Sequence, residues 1–300
     1  MPATTRFDAM QLPDGNQARM DFLESSFYKG HDSGRCLPSP VEVRASSGRN
    51  RPTPQPPPVK FEHLDLIVKY GPHVTVAEAQ CLWMIKRVLR EQVPVPEVYG
   101  WRVDGQDVFI YMEFLRGTTL KDRWDFLSVG DRTTLCNHLH QIMESLRHVE
   151  QDPKDPFIGS ISRHHLLDIV FEGQPQGGPF ATIKEFNDWF SGLPWLRFPN
   201  LESFQDSWRA SLPDTGTIKF THGDLHQANI LISSTGTPRV LAVVDWAHGG
   251  WYPDYWEYCK AAYTSAYDGE WRNKWVPLFL NPMSEVHEIF AEYINAMGAI

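Results

Sequence analysis

The sequence predicts an α+β protein of two lobes, a small β-rich amino-terminal lobe and a larger, mostly helical carboxy-terminal one. Three observations carry this expectation. Between Leu64 and Leu115 the chain reads strand, helix, strand, strand. From Ser128 onward, long stretches follow helical spacing. A single island of β-character, from Ile218 to Trp246, interrupts those helices.

The 300 residues suit one large domain or two lobes sharing a cleft. The formal net charge of -9 argues against nucleic acid as the main partner, because phosphate backbones call for concentrated Lys and Arg. The same balance is compatible with a cationic ligand or one bridged by a metal. Cys36, Cys81, Cys136 and Cys259 are scattered and form no C-x-x-C pair, so they read as free, mostly buried thiols of a reducing compartment. The opening "MPATTRFDAMQLPDG" has no apolar run behind a basic start, so no secretory signal is expected. No segment approaches the roughly 18 apolar residues of a membrane span. A cytoplasmic protein without a membrane partner is the expectation, and the sequence leaves its oligomeric state open.

Residues 1–58 are the least regular part. The amphipathic piece "ARMDFLESSFYKG" is followed by "RASSGRNRPTPQPPPV", whose five prolines between Pro52 and Pro58 forbid a helix or a central strand. An amino-terminal segment with a Pro-rich connector, partly disordered or irregular, is expected there. "LDLIVKY", Leu64 to Tyr70, is a β-rich apolar run. A helix of about four turns follows, with Val76, Ala79, Leu82, Trp83, Val88 and Leu89 near helical spacing. Thr75 is its candidate cap, with Glu78 at the capping-box position. "EVYGWRV" and "DVFIYMEFL" flank "DGQ", the signature of a hairpin. Residues 59–115 thus form the first lobe, and "LRGT", Leu115 to Thr118, its hinge. Residues 116–300 form the second. Its helices are marked by Leu135, Leu139, Ile142, Met143, Leu146 and Val149, by "TIKEFNDWFSGL" with a capping-box pattern at Thr182 and Glu185, and by two carboxy-terminal stretches, "YWEYCKAAYTSAY" and "MSEVHEIFAEYINAMG".

The β-island holds the densest chemistry. In "FTHGDLHQANIL", Asp224 precedes Asn229 by five residues, and "NILIS" and "VLAVVDW" flank a turn near Thr237. Paired as an antiparallel hairpin, they bring Asn229 and Asp245 together at the open end, with Asp224 just upstream. Carboxylate and amide oxygens suit a hard cation such as Mg²⁺. A free carboxylate beside it can orient or deprotonate a hydroxyl, as phosphoryl transfer requires. A bland alternative makes all three polar residues of strand ends. His222 and His226 are spaced as a zinc pair, but such pairs sit on helices, and a brace for the loop is the expected role of His222. Trp251, Tyr252, Tyr255 and Trp256 read as core packing, and Asp254 and Glu257 as solvated surface or as attraction for a cationic substrate.

The motif "HGDLHQAN" followed by a hairpin and "VVDWAHGGWYPDYWEYCKA" resembles the aminoglycoside phosphotransferase and choline kinase group of the protein-kinase-like fold. "LIVKYG", "VTVAEAQCLW", "VPVPEVYGW", "FIYMEFLRGTTL" and "GPFATIKEFNDWF" look like its fungal branch, so the resemblance runs from about Val59 to Gly298. It implies a protein-kinase-like two-lobed fold and ATP- and Mg²⁺-dependent transfer of the γ-phosphoryl group to a hydroxyl of a small molecule. By the same resemblance Asp224 is the catalytic base, Asn229 and Asp245 hold Mg²⁺, Lys69 contacts the ATP phosphates, Glu78 positions Lys69, and backbone around Glu113 and Leu115 meets adenine. The capping box accounts for Glu78 without any ion pair. The sequence departs from the group in two places. No glycine-rich loop precedes Lys69, "SSGRN" being the sole candidate, and Ala247 stands where relatives often carry an acidic residue. The alternative is a pseudokinase or scaffold with a residual nucleotide site. A protein kinase fits less well, for want of an Ala-Pro-Glu segment after Asp245.

Overall fold

The computed structural model describes residues 5–29, 34–48, 56–197 and 206–298. The chain opens with strand β1 (Thr5–Arg6), then β2 (Arg19–Asp21), the short helix α1 (Ser26–Lys29) and helix α2 (Pro40–Ser46). Strands β3 (Val59–Phe61) and β4 (Leu66–Gly71) lead to helix α3 (Val76–Val88), and β5 (Val98–Asp104) and β6 (Asp107–Glu113) complete the first lobe. Its sheet is antiparallel throughout, in the order β2-β5-β6-β4-β3. Alternation along β6 divides its side chains. Phe109 and Tyr111 pack on the outer face with Val68 and Tyr70, and Ile110 and Met112 pack on the face covered by α3. The expected hairpin turns at Gly105, whose φ of 67° suits a residue without Cβ.

The amino-terminal segment is more regular than its sequence suggests. Arg19–Asp21 joins the sheet as an edge strand, Met20 opposite Trp101, and helix α2 starts from a full capping box of Ser39 and Glu42. Further upstream, β1 pairs in parallel with β8 (Val149–Glu150) of the second lobe. Between the two strands, the Pro13 carbonyl accepts from Gln80 Nε2 of α3 at 2.8 Å. One stretch therefore ties both lobes and α3 together. A three-residue strand carries too little pattern to be read from sequence. Pro52 and Pro54 of the proline run lie outside the described residues, and Pro56 to Pro58 take no regular structure.

The second lobe comprises β7 (Thr118–Thr119), α4 (Leu120–Arg123), α5 (Val129–Arg147), β8, β9 (Gly159–Ser160), α6 (Ile183–Gly192), β10 (Ile218–Thr221), β11 (Ile230–Ile232), β12 (Val240–Val243), β13 (Gly250–Pro253), α7 (Trp256–Tyr263) and α8 (Ser284–Met297). The expected hairpin is β11 and β12, with Ile230 opposite Val243. β10 does not continue into it. It pairs with β13 instead, and the chain breaks between at Gly223, φ 78°. The aromatic quartet predicted as core is core: Trp251, Tyr252, Tyr255 and Trp256 are all buried. Tyr252, Tyr255 and Trp256 share a core with Phe186, Phe190, Phe290 and Tyr293 from α6 and α8, whereas Trp251 packs on Phe220 in a separate cluster. A second apolar cluster runs unbroken from Trp101 and Ile110 of the first lobe to Leu225 and Ile230 below the cleft. The two lobes are thus packed on each other. The four cysteines are free, three of them buried. Among the described residues no helix is long and apolar enough to cross a membrane.

Gly100 sits where β2 meets β5, and a Cβ there would stand 2.3 Å from the Met20 carbonyl. Gly100→Ala is expected to lower stability by about 1–3 kcal/mol, read as a fall in the thermal midpoint. An unchanged midpoint would show that β2 contributes little to the sheet.

Candidate active site

Lys69 lies in the middle of an apolar strand, where the sheet pairs it with Ile110. Its ammonium turns into the space under α3. Nζ donates to both carboxylate oxygens of Glu78, at 2.8 and 2.9 Å, and to Asp245 Oδ1 at 2.7 Å. Thr75 does cap α3, its Oγ1 accepting from the Glu78 amide at 3.3 Å. The Glu78 carboxylate, however, belongs to Lys69. Of the two roles open to Glu78, the ion pair takes the side chain and the cap uses only its backbone. Glu78 is 1% exposed, so burial pushes its carboxyl up and Lys69 opposes the push. Burial works against the Lys69 charge, yet Glu78 and Asp245 hold the ammonium above its ordinary value. A charge this far from water is stable only with such partners.

Asp245 follows β12 in a left-handed conformation, φ 64°, uncommon for a residue with a side chain and typical of constrained functional positions. The Val244 amide donates to the Asn229 carbonyl at 2.9 Å, closing the hairpin and setting positions 229 and 245 at its open end. Burial would raise the Asp245 carboxyl, but Lys69 holds it below the usual range.

The loop between β10 and β11 is organised around Asp224. Asn229 Nδ2 donates to the Asp224 carbonyl at 2.9 Å and to Asp224 Oδ2 at 3.0 Å. Only the NH₂ end can make both bonds, so the carboxamide oxygen faces the other way. His226 Nδ1 accepts from the Ala228 amide at 3.2 Å, which puts the ring proton on Nε2, 3.3 Å from Asp224 Oδ2. Burial would raise Asp224 as well; the bond from His226, with the other imidazoles nearby, brings it below its ordinary value. His222, the expected brace, accepts from the Asp224 amide through Nδ1 at 3.1 Å and donates through Nε2 to the Val244 carbonyl at 3.0 Å. It packs edge-on against Trp246, and burial draws its value down to about 4, so the ring is neutral.

Beneath the loop lie residues whose part the sequence did not disclose. Glu257, on α7, is buried and accepts from the amides of His222 at 2.6 Å and Gly223 at 3.2 Å. It braces the loop from within the core. Burial pushes it up to about 7, with the His222 amide opposing. Beside it, Lys260 Nζ and Asp168 Oδ1 meet at 2.6 Å, both fully enclosed, and Trp256 donates to the second oxygen of Asp168 at 2.9 Å. Asp254 accepts from the Thr217 amide and hydroxyl and so finishes a turn. The aspartate–lysine pair had no sequence signal, being 92 residues apart in the chain.

Glu113 and Leu115 occupy the link from β6 into the second lobe. Glu113 exchanges bonds with Glu97, its amide donating to the Glu97 carbonyl at 2.8 Å and its carboxylate accepting from the Glu97 amide at 3.2 Å. The Leu115 carbonyl accepts from Gly117 at 3.0 Å in a tight turn. Lys69, Glu78 and Asp245 are thus joined directly, Asp224 and Asn229 are joined to each other, and the hairpin brings the two groups side by side. The oxygen donors of Asn229 and Asp245 fit a hard cation such as Mg²⁺. Among the described residues no three His, Cys, Asp or Glu side chains group around a metal position, so His222 and His226 lack the further ligands of a zinc site.

The model of the phosphotransferase enzyme family matches residues 59–281. No curated protein matches the chain in sequence. Among solved structures, the chain is similar to a thermostable mutant of the aminoglycoside phosphotransferase APH(4)-Ia in ternary complex with AMP-PNP and hygromycin B. The identity is 14% over 78% of this chain and 77% of that one, with a TM-score of 0.48. It is also similar to the streptomycin-ATP-APH(2")-IIa ternary complex, at 15% identity over 76% and 75%, TM-score 0.47.

The opposed shifts of Glu257 and His222 give a pH signature. The folded value of Glu257, about 7, stands above its ordinary 4.5. Its contribution to stability is therefore complete below about pH 4.5 and is lost as pH rises through about 7. The folded value of His222, about 4, stands below its ordinary 6.5, so its contribution is complete above about 6.5 and is lost as pH falls towards 4. Glu257→Gln removes the first and leaves the second. Denaturation midpoints of this variant are expected to climb more steeply than those of the natural protein between pH 4.5 and 6.5. Parallel pH curves would contradict the assignment.

Proposed function

We propose a function from one premise: the chain belongs to the phosphotransferase enzyme family. The reading it supports is a small-molecule kinase that moves the γ-phosphoryl group of ATP to a hydroxyl, with Mg²⁺ as the companion ion. The observation that carries it is the meeting of Lys69, Glu78 and Asp245 beside the bonded pair Asp224 and Asn229. Structures similar to this chain were solved with AMP-PNP or ATP and an aminoglycoside, which is compatible with a nucleotide and a polyhydroxylated acceptor here.

Each residue then has a task. Lys69, fixed by Glu78, presents its ammonium to the nucleotide phosphates. Backbone around Glu113 and Leu115 would meet adenine. Asn229 and Asp245 would hold Mg²⁺, which when bound neutralises phosphate charge. Asp224, kept ionised by its neighbours, accepts a hydrogen bond from the acceptor hydroxyl, orients its oxygen and receives its proton. His226 and Asn229 fix the carboxylate for that purpose.

Recombinant protein with γ-labelled ATP and a panel of hydroxylated metabolites tests the reading. Asp224→Ala is expected to lower transfer to the accepted metabolite about 10²–10⁴-fold while nucleotide binding persists. Full turnover by that variant would remove Asp224 from the mechanism.

A further inference from the structure

His248 opens the turn that follows Asp245, and its backbone lies directly on the catalytic loop. A Cβ at Gly223, the residue before Asp224, would meet His248 Cβ at 3.0 Å and its carbonyl oxygen at 3.1 Å. Tyr252 Oη donates to that carbonyl at 3.3 Å from below. The ring is near both functional carboxylates. A proton on the ring would help hold Asp224, beside His226, and Asp245, beside Lys69, below their ordinary values against the effect of burial.

Among the described residues neither ring nitrogen of His248 finds a hydrogen-bond partner. Nδ1 is buried, whereas Nε2 keeps access to solvent, and the side chain as a whole is half-buried. A buried N–H without a partner costs about 1–3 kcal/mol. A ring with a single N–H therefore carries it on Nε2, where something outside the protein can accept it. A second enclosed nitrogen without a partner, Gln227 Nε2, lies in the same loop between Asp224 and Asn229. Unpartnered polar atoms at a site of this kind point to a ligand that satisfies them.

We infer that His248 Nε2 donates a hydrogen bond to a non-bridging oxygen of the phosphoryl group in transfer. The inference rests on the phosphotransferase reading above. In the step, the acceptor oxygen forms a bond to the γ-phosphorus as the bond to the β–γ bridging oxygen breaks. The electron pair of the broken bond stays on ADP, and the acceptor proton goes to Asp224. His248 gives up no proton. Its N–H is placed where negative charge gathers on the moving group, and a fixed donor there favours the transition state over bound ATP.

Binding of two probes separates these states: Mg²⁺ with ATP, and Mg²⁺ with ADP and aluminium fluoride, a mimic of the phosphoryl group in transfer. His248→Leu is expected to weaken the mimic about 10²-fold and to leave the affinity for ATP within about twofold. His248→Gln, whose amide reaches the place of Nε2, should retain part of the difference, and the shorter His248→Asn should lose it. This last pair carries the test if the leucine variant does not fold. Loss of a purely packing role would move both probes alike and would not separate Gln from Asn, and either result overturns the inference. Natural protein that binds neither probe would instead overturn the phosphotransferase reading itself.

Discussion

One ammonium group governs the relation of the two lobes. Lys69 Nζ holds Glu78 of the first lobe and Asp245 of the second at once, within 2.9 Å of each. The glutamate is almost fully enclosed, so it is tolerable only while the lysine is present. Removing one member of such a set typically costs about 3–5 kcal/mol, because a buried charge is left alone. The placement of α3, of β4 and of the turn after β12 is thus one coupled constraint. The amino-terminal stretch adds to it from behind, bonding to Gln80 two residues beyond Glu78 and to strands of both lobes.

A second constraint acts from below. The loop that carries Asp224 runs through Gly223 with φ positive, and its amides would face a largely apolar core. Glu257 meets two of those amides, His222 meets the Asp224 amide, and the enclosed pair of Asp168 and Lys260 lies alongside. The amides of His222, Gly223 and Asp224 therefore each have a partner, which is the condition for burying polar groups at all. The result is a carboxylate, Asp224, held in one orientation by Asn229 and His226 before any ligand arrives.

Asp224, Asn229 and Asp245 could be read from the chain because their geometry is local: a five-residue spacing and a hairpin bring them together. Lys69 was legible as a lysine on a strand that otherwise favours apolar residues. Glu78 was legible as a residue but ambiguous in role, since capping and ion pairing use the same position and only the packing of α3 on β4 decides. Glu257 was misread as surface or substrate attraction, because its task depends on where α7 docks, 35 residues after His222. The strand at Arg19–Asp21 was missed for a different reason. Three residues with one side on the sheet leave no period to detect. What sequence alone conveys poorly here is contact between distant segments, above all the support under the loop.

The proposed nucleotide site of Asn229, Asp245 and Lys69 is expected to depend on a divalent cation. Titration calorimetry with ATP, in magnesium and then in EDTA, tests it most directly. The account predicts binding in magnesium, a loss of affinity of about tenfold or more in EDTA, and the same loss in magnesium for Asp245→Asn. Absence of binding at millimolar ATP, or binding indifferent to both magnesium and the Asp245 substitution, would contradict it.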